Sequence, residues 1–374
     1  MKTINLMAHS VAEIQEKINN AITTAFKPTL AISFGSVKCD LPAYVKIFDD
    51  HQIQLFGASS AGEFINEERT EAAIVVMLMD MNPDYFEIFH EESNFAKSFQ
   101  TGNNLADRGL AVYDDPAFLV TLSMSVNGEG LISGVHDRIP REKIFGGMAG
   151  DDFEMNATYT FINNKISANS VTGLILDASK IDVSGVAFSG WQPIGAKNRI
   201  TKSENNVVYE INNEPALEVV KRIFGEFYNT LENDNLLMSA SQYPLQMIKD
   251  GKYILRATLQ TSEEDQSLTL AGPVKQGQEF RFSVAPGFEV IDETINNFQK
   301  YAVEKGQPDA VILFSCKARH MSLGPLVEEE LEGIHDIWGK DMIGFFTYGE
   351  IGMDLDGTTN FYNETCSLVT LTEK

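Results

Sequence analysis

Two short segments of the sequence repeat a pattern of glycines followed by an acidic residue. Gly57–Glu63 and Gly344–Glu350 each carry two glycines, a carboxylate directly after the second glycine, and a hydroxyl residue two positions before it. Glycine lets the main chain approach a neighbour closely, while the carboxylate and hydroxyl offer an anion and a hydrogen-bond donor. Such a turn either ties down a strand end or forms one wall of a binding site. We expect the second role, because binding sites favour loops at strand ends.

A third, looser copy of the pattern is one residue shorter and occupies Ile144–Asp151, where Asp151 takes the place of Glu63. Neither of the first two copies is a phosphate-binding loop, because no Lys-Ser or Lys-Thr pair follows the glycines. Glu67 and Glu68 also follow the first copy and would repel phosphate. The three copies together predict a duplicated β-α-β unit that ends in a glycine-rich turn.

The charged residues of these regions predict the chemistry of a ligand. Glu63 and Glu350 could receive an ammonium group, and Arg256 or Arg319 could hold a carboxylate with the fork of donors of a guanidinium. They predict a small zwitterion, such as an amino acid, bound between two lobes, where pockets tend to form. Arg256 could equally lie exposed at the edge of its predicted strand, Tyr253–Leu259, whose side chains alternate between two faces.

An alternative function is a hydrolase or transferase that uses Cys316, Ser59 or Ser60 as its nucleophile. Arg319 and His320 follow Cys316 closely, and a nearby cation lowers the pKa of a thiol. We favour a half-buried structural cysteine, because the sequence identifies no Asn or Asp that would orient a base. Ser59 and Ser60 lie in Gly-x-Ser-x-Ala, close to the Gly-x-Ser-x-Gly elbow, yet no helix pattern follows.

We expect neither a metal ion nor a cofactor. The six histidines are scattered without the spacing of metal ligands. Asp354-x-Asp356 resembles the start of a calcium loop, but the twelfth position is Thr365 where a bidentate glutamate is required. Asp151-Asp152 could hold Mg²⁺, although an acidic surface turn is the commoner role of such a pair.

The composition is that of a globular chain of two domains. Its 374 residues are 43% hydrophobic and carry a net charge of -24, which repels nucleic acids and anionic membranes. The N-terminus lacks a signal-peptide pattern, and the longest apolar run, Ala72–Met79, is far shorter than the about 20 residues of a membrane-spanning helix. The dispersed Cys39, Cys316 and Cys366 indicate a reducing compartment. We therefore expect a cytoplasmic protein that neither binds nucleic acid nor inserts into a membrane.

The spacing of apolar residues predicts the elements that position these turns. We expect helices over about residues 11–26, from Asp40, from Pro215, before Gly306 and over Leu326–Trp338. Strands are expected at Leu30–Phe34, Ile53–Phe56, Ala72–Asp80, Ala117–Leu122, Ile144-Phe145, 157–162, 171–177, 182–189, 253–260, 268–271, 280–284, Val311–Ser315, Met342–Phe346 and Ser367–Leu371. A connector is expected over Asn205–Glu214.

The predicted fold class is α/β (mixed α+β). We expect two lobes of mixed β-sheets flanked by helices, built from repeated β-α-β units that end in glycine-rich turns. The N-terminal domain is placed at residues 1–206, with its motif core at 28–206, and the C-terminal domain at 207–374.

Several of these segments resemble the FIST family, a sensory or ligand-binding module made of an N-terminal and a C-terminal FIST domain. The N-terminal resemblance rests on Gly57–Glu63, Phe145–Asp152 and Val171–Leu176. The C-terminal resemblance rests on Glu214–Val220, Tyr243–Leu245, Arg256, Leu313–Cys316 with Arg319, and Gly344–Glu350 with Asn363-x-Thr365 beyond it. Together they span about residues 28 to 372.

The resemblance implies small-molecule sensing, with amino acids suggested as ligands. Because the sequence shows no kinase, chemoreceptor or cyclase segment, we expect the signal to pass to a signalling protein on a separate chain. The usual Cys-x-Gly-Arg pattern of the family appears here as Cys316-Lys317-Ala318-Arg319. The predicted ligand-binding residues are Ser59, Ser60, Gly62, Glu63, Gly147, Gly150, Asp151, Arg256, Cys316, Arg319, Thr347, Tyr348, Gly349, Glu350 and Asn363. A third interpretation is a scaffold whose acidic surface docks a partner protein, for which exposed apolar patches would be the sign.

Overall fold

The computed structural model describes residues 1–224, 242–249, 251–285 and 287–374, which form three six-stranded mixed sheets and one curled sheet of eight strands. The helices in this part of the chain are α1 Val11–Ala21, α2 Leu41–Asp50, α3 Ser98–Val112, α4 Gly128–Arg138, α5 Ala216–Phe224, α6 Glu289–Lys305, α7 Lys317–Leu323 and α8 Leu326–Trp338. The predicted fold class, mixed α/β with repeated β-α-β units, is confirmed.

The strands of the same ranges are numbered in chain order. They are β1 Lys2–Ala8, β2 Leu30–Gly35, β3 Gln54–Ser59, β4 Glu63–Ile65, β5 Glu68–Thr70, β6 Ile74–Asp80, β7 Phe86–Glu92, β8 Pro116–Leu122, β9 Ile144–Met148, β10 Thr160–Ile162, β11 Lys165–Ser167, β12 Ser170–Asp177, β13 Ile181–Phe188, β14 Gln192–Glu204, β15 Val207–Ile211, β16 Glu214–Pro215, β17 Leu245–Lys249, β18 Lys252–Arg256, β19 Thr258–Ser262, β20 Ser267–Leu270, β21 Glu279–Val284, β22 Ala310–Cys316, β23 Met342–Thr347, β24 Glu350–Met353, β25 Thr359–Tyr362 and β26 Cys366–Glu373.

Each six-stranded sheet is built on the same plan, and we number the sheets and the units that form them 1, 2 and 3. A parallel pair of strands, joined through helices, lies at the centre: β2 and β3 in sheet 1, β8 and β9 in sheet 2, β22 and β23 in sheet 3. Two antiparallel strands extend each pair on one side, namely β6 and β1, β12 and β7, and β26 and β13. The three glycine-rich segments lie at the carboxyl ends of β3, β9 and β23, but they begin inside the strands: β3 continues to Ser59 and β23 to Thr347, beyond the predicted ends at Phe56 and Phe346.

The three units exchange hairpins in a closed ring. Hairpin 1 (β4–β5) leaves unit 1 and pairs with β23 of sheet 3, while hairpin 3 (β24–β25) leaves unit 3 and pairs with β9 of sheet 2. Hairpin 2 (β10–β11) leaves unit 2 and pairs with β3 of sheet 1. Every six-stranded sheet is therefore completed by a hairpin from another unit.

The first glycine of each strong turn is required by this exchange. Gly57 faces Phe161 of hairpin 2, and Gly344 faces Phe64 of hairpin 1. A Cβ on Gly57 would lie 2.1 Å from the Phe161 ring, and one on Gly344 would lie 2.3 Å from the Phe64 ring. Any larger residue would collide with the exchanged hairpin. The first glycine of the repeat is therefore explained by a packing contact between two units.

Aromatic and aliphatic side chains from all three sheets meet in a common core. Phe34, Phe314 and Phe345 come from sheets 1 and 3, and the rings of Phe34 and Phe345 lie 4.3 Å apart, centre to centre. Sheet 2 contributes Leu119 and Phe145 to the same core. Helices cover the opposite faces, with α1 and α2 on sheet 1 and α3, α4, α6 and α8 on sheets 2 and 3. Burial on both faces explains why the central strands are continuous apolar runs.

The curled antiparallel sheet lies between β13 and β22 in the chain. Its order is β18-β17-β21-β14-β15-β20-β19, with β16 paired to β15, and the long strand β14 bends at register shifts. The predicted connector over Asn205–Glu214 is wrong, because β15 forms there. The predicted strand Tyr253–Leu259 is broken at Ala257, and the first helix ends at Ala21. The predicted boundary between residues 206 and 207 falls in the turn between β14 and β15 and stays a prediction.

Candidate functional site

The three glycine-rich turns bond to one another through their main chains. One bond at each junction runs from Ala61 N to Phe346 O (3.0 Å), from Met148 N to Gly349 O (2.7 Å) and from Gly150 N to Ser59 O (2.9 Å). The predicted site glycines Gly62, Gly147, Gly150 and Gly349 all lie in this ring of turns. The structure therefore brings most of the predicted residues together, in a place where main chain packs against main chain.

Glu63 of the first turn is fully buried and bonded within the protein. Ser60 Oγ donates to one carboxyl oxygen, and the main-chain N–H of Ala73 donates to the other at 3.3 Å. Burial raises the pKa of Glu63 to about 8, against the hydrogen bond from Ser60. Ser59, the neighbouring predicted residue, donates to Gly150 O at 2.6 Å.

Glu350 of the third-unit turn repeats this arrangement. Thr347 Oγ1 donates to one oxygen, and Thr365 donates its hydroxyl to the other at 2.6 Å. Burial raises the pKa of Glu350 to about 8 as well, opposed by the bonds from Thr347 and Thr365. Glu63 thus bonds to the residue before β6, and Glu350 bonds to the residue before β26, so each carboxyl group joins its turn to the strand that follows the exchanged hairpin. Contact of either carboxyl group with a ligand stays a prediction.

The acid of the third copy does not occupy the equivalent position. Phe161 faces Gly57 as Phe64 faces Gly344, so the residue before Phe161, which is Thr160, corresponds to Glu63. The alignment of Asp151 with Glu63 is therefore wrong, because an insertion separates the glycines of unit 2 from its hairpin. Thr160 and Ser170 share a hydroxyl–hydroxyl bond of 2.7 Å at this place.

Asp151 closes the inserted loop instead. Its carboxylate accepts the hydroxyl of Tyr348 at 2.5 Å and the main-chain N–H of Asn156 at 2.6 Å. Asn363 joins the same turn to the curled sheet, donating to Tyr348 O and accepting from Ala257 N, both at 3.3 Å. Asp151, Tyr348 and Asn363 thus have partners within the protein.

Arg319 is buried and bonded to the protein's own carboxylate. Its guanidinium binds both oxygens of Glu330, donates to Thr294 Oγ1 at 3.0 Å and lies over the ring of Trp191. Leaving a buried carboxylate without its arginine is strongly unfavourable. A ligand carboxylate would therefore have to displace Glu330 at considerable cost.

Cys316 is also buried, more deeply than the half-buried cysteine that we expected. Burial raises the pKa of its thiol well above the usual range, and the neighbouring Glu350 and Glu364 raise it further. A buried, protonated thiol beside carboxyl groups is a poor nucleophile. The hydroxyl groups of Ser59 and Ser60 bond to Gly150 O and Glu63, so neither is paired with a histidine base.

Arg256 is completely buried, so the alternative of an exposed edge arginine is wrong. Its guanidinium binds Glu129 of α4 and donates to the carbonyl oxygens of Leu255 (2.8 Å) and Phe361 (3.1 Å). Burial of Arg256 between the curled sheet and hairpin 3 explains why the alternating pattern of its strand misled the prediction. It does clamp a carboxylate, but that carboxylate belongs to the protein.

The tip of each exchanged hairpin lies beside the amino end of the strand with which it pairs, and we call this place a corner. Two of the three corners are closed by hydrogen bonds from the hairpin tip. In sheet 1, Asn163 accepts the N–H of Leu55 at 2.7 Å and donates to Ile53 O at 2.8 Å. In sheet 3, Asn66 accepts the N–H of Met342 at 3.1 Å. Each asparagine lies two residues beyond the phenylalanine that covers the glycine, in a turn of two residues.

The corresponding corner of sheet 2 is open. Met353 stands at the position of Asn66 and Asn163, two residues beyond Ile351, which faces Gly146. A five-residue loop, 354–358, replaces the two-residue turn of the other hairpins. A groove of about 870 Å³ lies here, lined by α4, the chain from Pro140 to Phe145, β13 and the tip of hairpin 3. The segment that suggested a calcium loop is this longer tip.

Charged residues of both signs line the groove: Arg141, Lys143, Lys249 and Lys305 are basic, and Glu129, Glu142, Asp182 and Asp356 are acidic. Two of the ion-pair clusters that reach the groove carry an excess formal charge. At one, the single carboxylate of Glu129 is shared by Arg256 and Lys249, whose Nζ lies 3.1 Å from it, which leaves one formal positive charge in excess. At the other, Lys252 bonds to both Asp354 (2.7 Å) and Asp356 (2.5 Å), which leaves one negative charge in excess. The bond from Lys252 lowers the pKa of Asp356 to about 2, so this carboxylate is ionised at neutral pH.

None of the fifteen predicted ligand residues lines this groove, although Arg256 reaches it through Glu129. Sequence reasoning missed Glu129, Lys249, Asp182 and Asp356 as site residues. They come from four elements far apart in the chain, and only the acidic tip Asp354–Asp356 left a recognisable signal. Within the described ranges, no cluster of His, Cys, Asp and Glu could hold a metal ion, and no helix is long and apolar enough to cross a bilayer.

Comparison with known proteins identifies two domains in the chain. The FIST N domain matches residues 29–214, and the FIST C domain matches residues 216–353. A search of curated proteins found no match. FIST domains are sensory domains of signal-transduction proteins, which supports a sensory role for this chain. The two matches cover most of the sequence, and the chain belongs to the FIST family.

Proposed function

We propose that this protein is an intracellular sensor that binds a small zwitterion, such as an amino acid, in the groove at the open corner of sheet 2. The groove lies between the two segments matched by the FIST domains: β13 and α4 belong to the first, and Lys249 and Met353 to the second. A ligand there would contact both halves at once.

The observation that carries the proposal is the pair of opposite excess charges on one groove. An ammonium group is attracted by Asp356 and Asp182, and a carboxylate by Lys249. The whole chain has a net charge of -24, yet four basic residues line this groove, namely Arg141, Lys143, Lys249 and Lys305, so the groove can attract an anionic group. A cavity of about 870 Å³ falls within the usual range of small-molecule sites.

The residues first predicted from the repeats take a different part in this function. Glu63, Glu350 and Asp151 hold the ring of turns together, and Arg256 holds Glu129 at the groove wall. These residues do not line the groove but support the segments that form its walls. Binding of the ligand in the groove would be signalled to a signalling protein on a separate chain.

Thermal-shift and calorimetric titration with each of the twenty amino acids tests the proposal. At least one is expected to stabilise the protein and bind at the groove, and Asp182→Asn is expected to weaken that binding about 10- to 100-fold through loss of one charged contact. Asp341→Asn is the matched control, because Asp341 bonds to Thr3 at a sealed corner. Stabilisation by nucleotides or sugars but by no amino acid would contradict the proposal.

A further inference from the structure

Glu129 is held by two cations whose surroundings differ sharply. The Arg256 side chain is 0% exposed, whereas that of Lys249 is 31% exposed and that of Glu129 is 19% exposed. Both cations belong to the β17–β18 pair of strands, on which Leu245 faces Arg256 and Lys249 faces Lys252. One carboxylate of α4 therefore fastens this part of the curled sheet to unit 2.

The two ion pairs differ in how easily they exchange. Removing the partner of a fully buried charge is strongly destabilising, so Arg256 keeps Glu129 in place. An ion pair that is partly exposed contributes little, because water solvates each charge once the pair separates. Lys249 can therefore leave Glu129 at small cost, and Glu129 stays neutralised by Arg256 when it does.

Resting on the proposed zwitterion site, we propose that Lys249 is the residue that selects ligands with a free carboxylate, exchanging Glu129 for the carboxylate of the ligand. Lys249 lines the groove and also the adjoining groove of about 420 Å³, so its side chain stands at the wall between the two. Arg141, Lys143 and Lys305 also line the groove, but Lys143 pairs with Asp115 and Lys305 with Glu304. The Lys249 ammonium differs from these two because it is the excess positive charge of a cluster, sharing Glu129 with Arg256. A carboxylate of the ligand supplies the partner that makes this cluster neutral.

The exchange also couples the site to the curled sheet. Lys249 ends β17, and Lys252 begins β18 with its bonds to Asp354 and Asp356 on the tip of hairpin 3. A zwitterion that reaches both clusters alters both attachments of the same pair of strands. Binding therefore changes how firmly β17 and β18 are held, while the buried Arg256 remains a fixed point.

Calorimetric titration with each of the twenty amino acids and its α-carboxamide tests the role of Lys249. The wild-type protein is expected to bind the acid about 10- to 100-fold more tightly than the amide, the effect of one charge-assisted hydrogen bond. In Lys249→Met the acid should bind as weakly as the amide, with amide affinity unchanged. Lys275→Met, which removes a charge from the adjoining groove only, should keep the wild-type ratio.

Amide hydrogen exchange gives a second readout that simple loss of charge would not alter. In the wild type the binding acid should change exchange in β17 and β18, and in Lys249→Met it should not. An unchanged acid-to-amide ratio in Lys249→Met would overturn the role of Lys249 while leaving the groove as the binding site. Absence of binding by every amino acid to the wild type would overturn the proposed function and this inference together.

Discussion

Sheets 1, 2 and 3 share one topology, but the corners of sheets 1 and 3 are sealed and the corner of sheet 2 is open. At the sealed corners a neutral asparagine, Asn163 or Asn66, bonds to main chain and fills the space. At the open corner Met353 and a longer loop leave a groove, and charged clusters hold its walls. We therefore expect the ligand-binding site at the corner that departs from the repeat, and a structural role for the residues that the repeats share.

The buried ion pair behind the open corner is expected to have the largest effect on stability. Arg256→Met removes three hydrogen bonds of a buried charged group, to Glu129 and to the carbonyl oxygens of Leu255 and Phe361, so the free energy of unfolding should fall by about 3–5 kcal/mol even though Lys249 still pairs with Glu129. Chemical denaturation measures this change. Lys252→Met, which removes a partly exposed cation from the same strand, is the control. Equal losses in the two variants would mean that the walls of the groove do not depend on the buried pair.

A sealed corner should be weakened by loss of its asparagine. Asn163→Ala leaves the N–H of Leu55 and the carbonyl of Ile53 without their partner and should lower the free energy of unfolding by about 1–3 kcal/mol. Met353→Ala at the open corner should cost less, because it breaks no such bonds and removes only a partly buried side chain from the edge of the core. Denaturation of both variants compares the corners directly, and a larger loss from Met353→Ala would contradict the contrast drawn between them.

The turns of units 1 and 3 should differ from that of unit 2 in their response to pH. The pKa of Glu63 is about 8 in the folded protein and 4.5 ordinarily, so the folded state keeps a proton that the unfolded chain loses. Stability from this group is complete below pH 4.5 and declines by about 1.4 kcal/mol per pH unit until pH 8. Glu350 has the same raised pKa and adds an equal contribution, so Glu63→Gln and Glu350→Gln should each remove about half of the combined slope.

Denaturation between pH 5 and 8 measures the slope, and unit 2 provides the control. Thr160 stands at the position of Glu63 and does not titrate, so Thr160→Val should shift stability equally at each pH. A wild-type slope retained in both Glu63→Gln and Glu350→Gln would show that these carboxyl groups are ionised in the folded protein.

The smallest effect is expected at the partly exposed ion pair of the groove. Lys249→Met should change the free energy of unfolding by less than about 1 kcal/mol, because such pairs contribute little. Denaturation in low salt measures it beside Arg256→Met. A loss as large as that of Arg256→Met would show that Lys249 cannot leave Glu129 easily.

The sequence predicts those parts of the fold that depend on local patterns. The central strands are continuous apolar runs, and Gly57 and Gly344 lie near their carboxyl ends, so the β-α-β pattern of units 1 and 3 and the glycine-rich turns could be found, whereas helix α4 of unit 2 was missed. Helix α3 was missed, because its asparagines and glycines obscure the apolar spacing. The exchanged hairpins were missed too, since strands of three residues such as β4 gain their stability from a partner strand far away in the chain.

The candidate site was harder to predict than the fold. The repeat drew attention to Glu63 and Glu350, whose spacing reflects a structural bond that both turns share. Glu129 and Lys249 carry no repeated pattern, and only the packing of α4 against the curled sheet brings them together. A pattern that recurs identifies what every unit needs, while the groove depends on residues present in one unit alone.

The ring of exchanged hairpins has a consequence for how the chain must fold. No unit completes its own sheet, so two units without the third leave one sheet lacking its hairpin and one hairpin lacking its sheet. Folding is therefore expected to be a single cooperative event that waits for the last, most distant strands. A single unit on its own could complete its sheet in this manner only by exchanging hairpins with further copies, as in a domain-swapped oligomer.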